Sequence, residues 1–141
     1  MKAVVADAGP ILHLHEATGL HLLAQIGRII CPLVVLAEVR LHAPALWADG
    51  LPPWFAAVPL SPESTQRAQR WHQAGLLHAG EAGALALACE TRPDWFLTDD
   101  AAARLMAESL GIEAHGSLGV VLWAASTHLI AKRKPRTSLE H

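Results

Sequence analysis

The chain has 141 residues, of which 52% are hydrophobic and 17% are charged, and its formal net charge is −2 at pH 7. This length supports one well-buried core and excludes two domains of ordinary size. The slightly acidic balance excludes a protein that grips nucleic acid through an overall positive surface, but it is compatible with a nuclease whose acidic site recruits cations that bridge to phosphate.

The apolar segments of the chain are short. Each is broken by His, Glu, Gly or Pro before the roughly 18 to 20 residues that a bilayer span requires, and the N-terminus lacks the long apolar stretch and cleavage site of a secretion signal. Cys31 and Cys89 have no zinc-site or disulfide-scaffold spacing, so we interpret them as buried free thiols. We therefore expect a cytoplasmic protein without membrane association.

Predicted strands and helices alternate along the chain. Short apolar runs predict strands, and apolar residues at helical spacing, with caps such as Ser61 before Pro62, predict helices. In chain order, the elements are a strand at 3–6, helices at 10–17 and 20–26, a strand at 28–31, helices at 33–42, 62–74 and 80–90, a strand at 95–98, a helix from the cap Asp99 to Gly111, a strand at 112–114 and a helix at 117–130. Residues 43–59, rich in Pro and Trp, are predicted to be irregular. The alternation indicates a parallel α/β sheet.

The C-terminal residues differ in composition from the rest of the chain. Lys132-Arg133-Lys134-Pro135-Arg136 is a basic run with little apolar content to order it, and Leu139-Glu140-His141 resembles the start of a purification tag. We therefore divide the chain into one domain at 1–131 and a basic tail at 132–141.

Two predicted strands are followed directly by aspartates. Asp7 follows the first strand, and Asp99 and Asp100 follow the strand at 95–98. Ligands of parallel α/β sheets bind just beyond the carboxyl ends of the strands, so these carboxylates would lie within reach of one metal ion if the two strands are neighbours. A helix N-cap is the alternative interpretation of each aspartate, above all of Asp99.

Two glutamates lie among apolar residues of predicted helices. Glu38 has Val34 and Leu41 as helical neighbours, and Glu81 has Leu77 and Leu85. A solvated rim position explains one such glutamate. Two of them, beside two strand-end aspartates, are better explained by an acidic pocket filled by cations, because unpaired buried charges are strongly unfavourable.

An all-oxygen set of donors selects a hard cation, Mg²⁺ or Mn²⁺, over zinc. The nine histidines show no ligand spacing and are not interpreted as a zinc set. Hard divalent cations bind through a few carboxylates, water and substrate phosphate, and they can polarise a phosphodiester and generate hydroxide. The residues thus favour phosphodiester hydrolysis.

Four segments and their order resemble the PIN-domain family, which includes the VapC-type toxins and other small ribonucleases. The opening VVADAGPILHL resembles the first strand with its leading aspartate, Asp7, and VVLAEV resembles the helical motif of Glu38. HAGEAGALALA resembles a third acidic motif at Glu81, and FLTDDAAAR resembles the fourth at Asp99 or Asp100. GSLGVVLWA resembles the last helix of one subgroup, with Ser117 as a polar contact near the site.

The resemblance implies a three-layer α/β/α fold around a mainly parallel sheet of four or five strands. It also implies RNA cleavage dependent on Mg²⁺ or Mn²⁺, a homodimer, and inhibition by a small antitoxin protein. Many VapC toxins carry the third acid two residues after Glu81, where this chain has Gly83. Which of the adjacent residues Asp99 and Asp100 is the fourth acid also stays open. Strand-end geometry favours Asp99, and the T-x-D spacing of some relatives favours Asp100.

The leading hypothesis is therefore a ribonuclease whose catalytic residues are Asp7, Glu38, Glu81 and Asp99. Its metal ligands would be Asp7, Glu38, Asp99 and Asp100. His13, Arg104 and Ser117 are candidate contacts to RNA. A haloacid-dehalogenase phosphatase is disfavoured because Gly9 stands where its second acid belongs. The remaining alternative is a catalytically silent PIN-like module used for dimerisation or partner binding.

Overall fold

The computed structural model describes the backbone of residues 1–139 and the side chains of residues 1–128. It contains a five-stranded sheet and seven helices. The strands are β1 (Lys2–Ala6), β2 (Gly27–Pro32), β3 (Phe55–Val58), β4 (Trp95–Leu97) and β5 (Ala114–His115). The helices are α1 (Ala8–Glu16), α2 (His21–Ile26), α3 (Leu33–His42), α4 (Pro62–Gln73), α5 (Ala79–Thr91), α6 (Ala101–Ser109) and α7 (Ser117–Leu139).

The strand order is β3-β2-β1-β4-β5, and every pairing is parallel. β1 lies at the centre, where Val4 pairs with Ile29 of β2 and with Trp95 of β4. The three-layer α/β/α class with a parallel sheet is therefore confirmed. β1 and β4, which are followed by Asp7 and by Thr98-Asp99, are direct neighbours, so their carboxyl ends meet at one edge of the sheet.

The core lies on both sides of β1. Val4, Val5 and Ala6 are at most 1% exposed, as expected for a strand of a parallel sheet. α5 is buried from Ala82 to Ala88, because its Ala and Gly residues let it pack closely against α4 and the sheet. Cys31 is a buried free thiol whose pKa burial raises to about 12, whereas Cys89 is only half-buried.

β3 lies in the segment that was predicted to be irregular, and that prediction is wrong. Phe55 pairs with Ile29 of β2, and the ring of Trp47 packs 4.5 Å from that of Phe55 and 6.0 Å from that of Trp54. The prolines and tryptophans of this segment do not follow the alternating pattern that predicts a strand. β3 is a short edge strand whose stability comes from pairing and aromatic packing.

Several element boundaries also differ from the prediction. β5 is Ala114–His115 rather than 112–114, and the N-cap of α6 is Asp100 rather than Asp99. The backbone of α7 continues past residue 130 to Leu139, through Pro135. The predicted division at residue 131 is not tested and stays a prediction. Of the tag-like residues, 140 and 141 lie outside the described residues. No helix in the described part of the chain is long and apolar enough to cross a membrane.

Candidate active site

An acidic cleft opens at the carboxyl edge of the sheet. Its volume is about 420 Å³, and it brings together all of the acidic residues that the sequence analysis singled out. The lining residues are Asp7, Gly9, His13, Glu38, His78, Glu81, Asp99 and Asp100. The five acids come from four separate parts of the chain, so the cleft exists only in the folded chain.

Asp7 lies at the bottom of this acidic cleft and is 5% exposed. Its Oδ1 atom accepts a 2.8 Å hydrogen bond from the N–H of Ala8, and its Oδ2 atom accepts one of 3.1 Å from the hydroxyl of Thr98. The pKa of Asp7 is raised to about 6, mainly by burial; the hydrogen bonds from Ala8 and Thr98 oppose the rise, and the charges of Glu81 and Glu38 contribute to it less. A cation would stabilise the ionised form of a carboxylate that is buried in this way.

Glu38 reaches the cleft beside the first turn of α5. Its Oε1 atom lies 2.6 Å from the point that a β-carbon on Gly80 would occupy, and Asp7 Oδ1 lies 3.8 Å from the same point. The two carboxylates therefore face one small region. The predicted apolar surroundings of Glu38 are only partly present, since Val34 is 41% and Leu41 is 77% exposed. Glu38 lies at the rim of the core because α3 begins at the open edge of the sheet.

Glu81 lies in the first turn of α5 and is half-buried. Its Oε1 atom accepts a 2.9 Å hydrogen bond from the backbone N–H of His78, which caps the helix. Gly83, where many relatives carry the third acid, faces the core instead: a β-carbon there would meet Val34 at 2.9 Å and Pro32 at 3.5 Å. In this chain, Glu81 is thus the acid of α5 that faces the cleft.

Asp99 is held by three donors. Its carboxylate accepts a 2.6 Å bond from the backbone N–H of Ser117, bonds of 3.1 and 3.0 Å from the Ser117 hydroxyl, and a 2.6 Å bond from Nδ1 of His13. The start of α7 and the exposed side of α1 therefore fix its orientation. Arg104 is close by, since its Nη1 atom and Asp99 Oδ1 lie 2.9 and 2.6 Å from the point where a β-carbon on Gly116 would stand.

Asp100 has a structural task that Asp99 lacks. Its Oδ2 atom accepts a 2.8 Å bond from the N–H of Ala103 and so caps α6. The cap prediction was therefore made for the wrong member of the doublet. Both carboxylates line the cleft, but the contacts of Asp99 with Ser117 and His13 favour Asp99 as the residue oriented for the cleft.

The donor set fits a hard divalent cation, because all of its acids offer oxygen. The carboxylates lie further apart than the ligands of a preformed metal site: among the described residues, no three His, Cys, Asp or Glu side chains are positioned to hold one ion. Hydrogen bonds to protein donors hold the carboxylates of Asp7, Glu81, Asp99 and Asp100 where they are. Ion binding would require side-chain adjustment, most simply at Glu81.

Sequence reasoning missed Thr98, Gly80 and Gly116. The hydroxyl of Thr98 links the two strand ends, since it donates to Asp7 and accepts a 3.2 Å bond from the N–H of Asp100. The T-D-D order at the strand end was an available signal for this link. The two glycines permit the close approach of Glu38 and Asp99, and only the tertiary structure shows that need.

A second cleft of about 430 Å³ lies along α4 and the end of α5, away from the acidic cleft. Two carboxylates line it, Glu63 and Glu90. Glu90 Oε1 accepts a 2.6 Å bond from the hydroxyl of Ser64 and a 3.4 Å bond from the N–H of Ser61, and hydrogen bonds with these two serines lower the pKa of Glu90. The group is thus engaged within the protein, and this cleft lacks a cluster of carboxylates.

Comparison with known proteins gives one family match. The family model described as "DUF3368: PIN domain" matches residues 3–139, a range that includes every residue lining the acidic cleft. No curated protein matches the chain.

Proposed function

We propose that this chain, which belongs to the PIN-domain family, is an endoribonuclease that depends on Mg²⁺ or Mn²⁺. PIN domains are generally nucleases, and this membership indicates nuclease-like activity. One observation supports the proposal of metal-dependent RNA cleavage. Four acids from separate parts of the chain converge on one cleft at the edge of a parallel sheet: Asp7, Glu38, Glu81 and Asp99.

In this proposal, Asp7, Glu38 and Asp99 hold the metal ion, and Glu81 and Asp100 complete the acidic wall. A bound divalent ion supplies polarisation of the phosphodiester and activation of water for in-line attack. A bound divalent ion would favour the ionised form of Asp7, because its positive charge opposes the effect of burial on the pKa of this carboxyl.

The neighbouring side chains orient the acids and receive the substrate. Ser117 fixes Asp99 through its N–H and hydroxyl. The His13 side chain is 57% exposed on the open side of Asp99, where it can contact an entering phosphate. Arg104, half-buried beside Asp99, adds positive charge at the same side.

We further propose that the protein is the toxin of a toxin–antitoxin module, inhibited by a small antitoxin, and that it works as a homodimer. The toxin role rests on the resemblance of the acidic motifs to those of VapC-type toxins. The dimer is supported by Leu118 and Leu122 on α7, which are 69% and 60% exposed one helical turn apart. If the dimer forms there, Leu122→Glu will halve the solution mass measured by light scattering.

A catalytically silent interaction module is the second candidate. It is favoured by the absence, among the described residues, of three side chains already positioned to hold a metal. Asp7 caps α1, which a structural module would also explain. The silent module is disfavoured by the convergence of Glu38, Glu81 and Asp99 on the same cleft, because like charges gathered without a cation are unfavourable.

A cleavage assay separates the two candidates. Tag-free wild type, Asp7→Asn and the matched control Asp49→Asn, an exposed loop residue outside the cleft, are incubated with a mixed pool of RNA in Mn²⁺ and in EDTA. We expect wild type and the control to cleave RNA in Mn²⁺ only, and Asp7→Asn not to cleave. No cleavage by the wild type, or full cleavage by Asp7→Asn, would reject the nuclease proposal.

A further inference from the structure

A smaller pocket, which we call the side pocket, adjoins the acidic cleft. Its volume is about 230 Å³, and three of its residues, His78, Glu81 and Asp100, also line the cleft. The remaining lining residues are His72, Gly75, Leu76, Leu77 and Ala102. A ligand held at the acids can therefore extend into this side pocket without leaving the protein surface.

The side pocket is shaped by the turn between α4 and α5. Gly75 adopts φ +75°, a left-handed conformation that favours glycine, and the N–H groups of Gly75 and Leu76 donate to the carbonyls of His72 and Trp71 at 3.0 and 3.1 Å. These bonds fix the turn and leave the Leu76 side chain 53% exposed at the pocket. The apolar surface is thus held in place before any ligand binds.

The side pocket combines apolar surface with a defined hydrogen-bonding group. His72 Nδ1 lies 3.1 Å from the carbonyl oxygen of Leu77, and because a carbonyl only accepts, Nδ1 carries the proton. In the neutral ring, Nε2 is then an acceptor. Leu76 and the imidazole ring offer surface for a flat heteroaromatic group, and Nε2 can accept from one of its N–H groups.

The charge of the shared wall decides which part of an RNA fits. Glu81 and Asp100 line the side pocket as well as the cleft, and away from a cation bound in the cleft they would repel a phosphate. An uncharged nucleobase would not be repelled. Only an unpaired base can turn out of its stack into such a pocket.

We infer that the side pocket of His72 and Leu76 receives the unstacked base next to the scissile phosphate of an RNA substrate. The inference rests on the proposed nuclease function, since the acidic cleft must hold that phosphate.

The test measures binding separately from cleavage. Fluorescence anisotropy follows a short labelled single-stranded RNA and its duplex on the full chain in Ca²⁺, with the RNA checked for integrity on a gel. The variants are His72→Ala and Leu76→Ala, whose side chains are exposed. The matched controls, His21→Ala and Leu110→Ala, are exposed residues outside both pockets.

We expect each pocket variant to bind the single strand about tenfold more weakly, the effect of losing one stacking contact with a base. The controls should bind as the wild type does, the duplex should bind more weakly than the single strand, and the base preference beside the cut in Mn²⁺ should change in His72→Ala.

The outcomes separate this inference from the nuclease proposal. If the wild type cleaves RNA but both pocket variants bind and cut as it does, the side-pocket inference alone is overturned; a pocket that serves a protein partner would give this result. If the pocket variants lose binding but the wild type does not cleave, the nuclease proposal fails and the base pocket stands. Equal binding of single strand and duplex, or no binding of RNA, overturns the inference.

Discussion

The Oε1 atom of Glu38 lies 2.6 Å from the position that a β-carbon on Gly80 would occupy. The Glu38 carboxylate and a β-carbon at residue 80 cannot both fill that space. The carboxylate of α3 therefore reaches the first turn of α5 only because residue 80 is glycine. The position is also electrostatically favourable, since the N-terminus of a helix attracts negative charge. This relationship ties the geometry of the cleft to a residue that has no functional group.

Gly80→Ala should therefore displace Glu38 without unfolding the protein. Alanine is favoured over glycine inside a helix by about 1 kcal/mol, and the atom it meets is the end of a flexible side chain. We expect an unchanged or higher melting temperature and about a tenfold loss of Mn²⁺ affinity, as when the orientation of a ligand is disturbed.

Gly119→Ala is the matched control for this variant. An added β-carbon at this helical glycine would meet His115 at 3.4 Å, outside the cleft. Calorimetry on both variants compares the affinities. Unchanged Mn²⁺ binding by Gly80→Ala would show that the position of Glu38 does not matter for the metal.

The neighbours Asp99 and Asp100 should respond differently to the same change. Asn replaces Asp well as an N-cap, so Asp100→Asn should keep the stability of α6 and most of the Mn²⁺ affinity. Asp99→Asn should abolish detectable binding, because the carboxylate held by Ser117 and His13 is lost. Titration of both variants with Mn²⁺ shows which aspartate is the metal ligand. A larger loss of Mn²⁺ affinity in Asp100→Asn would assign that role to Asp100.

Ser117→Ala removes the hydroxyl that donates to Asp99 but keeps the backbone N–H that donates at 2.6 Å. We therefore expect the carboxylate of Asp99 to stay in the cleft but to be less well oriented. We expect Mn²⁺ affinity and RNA cleavage to fall by about tenfold, the lower end of the range for residues that orient metal ligands. Ser109→Ala is the matched control, since its hydroxyl donates to the carbonyl of Met106 outside the cleft. A loss as large as that of Asp99→Asn would mean that Ser117 does more than orient its neighbour.

The stability of the metal-free protein should depend on the ionisation of Asp7. Its pKa is about 6 in the folded chain against 3.8 for an aspartate side chain exposed to water, so between these values the folded state holds a proton that the unfolded state has released. Stability therefore falls as pH rises from about 4 to about 6 and stays lower above that range. The shift corresponds to about 3 kcal/mol at most.

Asp7→Asn removes this penalty while its amide oxygen can still accept from Ala8. In EDTA, urea unfolding should show the variant to be more stable than the wild type at pH 7 and similar to it near pH 4. A variant that is less stable than the wild type at pH 7 would mean that the charge of Asp7 is not destabilising in the folded chain.

The sequence was sufficient to predict what depends on local pattern. Asp7 and Asp99 were identified because they follow buried strands, and Glu38 because it interrupts an apolar helical spacing. The parallel pairing of β1 and β4 then confirms that the strand ends adjoin.

What the sequence did not predict depends on contacts between distant residues. Asp99 and Asp100 are adjacent acids, and only the position of Ala103 decides which of them caps α6. Gly80 matters because Glu38 approaches it from another helix. β3 went unpredicted because its residues gain their order from β2.

The most direct test of the central claim is the titration of Mn²⁺ into the wild type and Asp7→Asn by isothermal calorimetry, on tag-free protein at pH 7. We predict saturable binding to the wild type that is lost in Asp7→Asn, since the acids of the cleft form the metal site. Absence of binding to the wild type, or equal binding to both proteins, would contradict the assignment of the cleft as a metal-dependent active site.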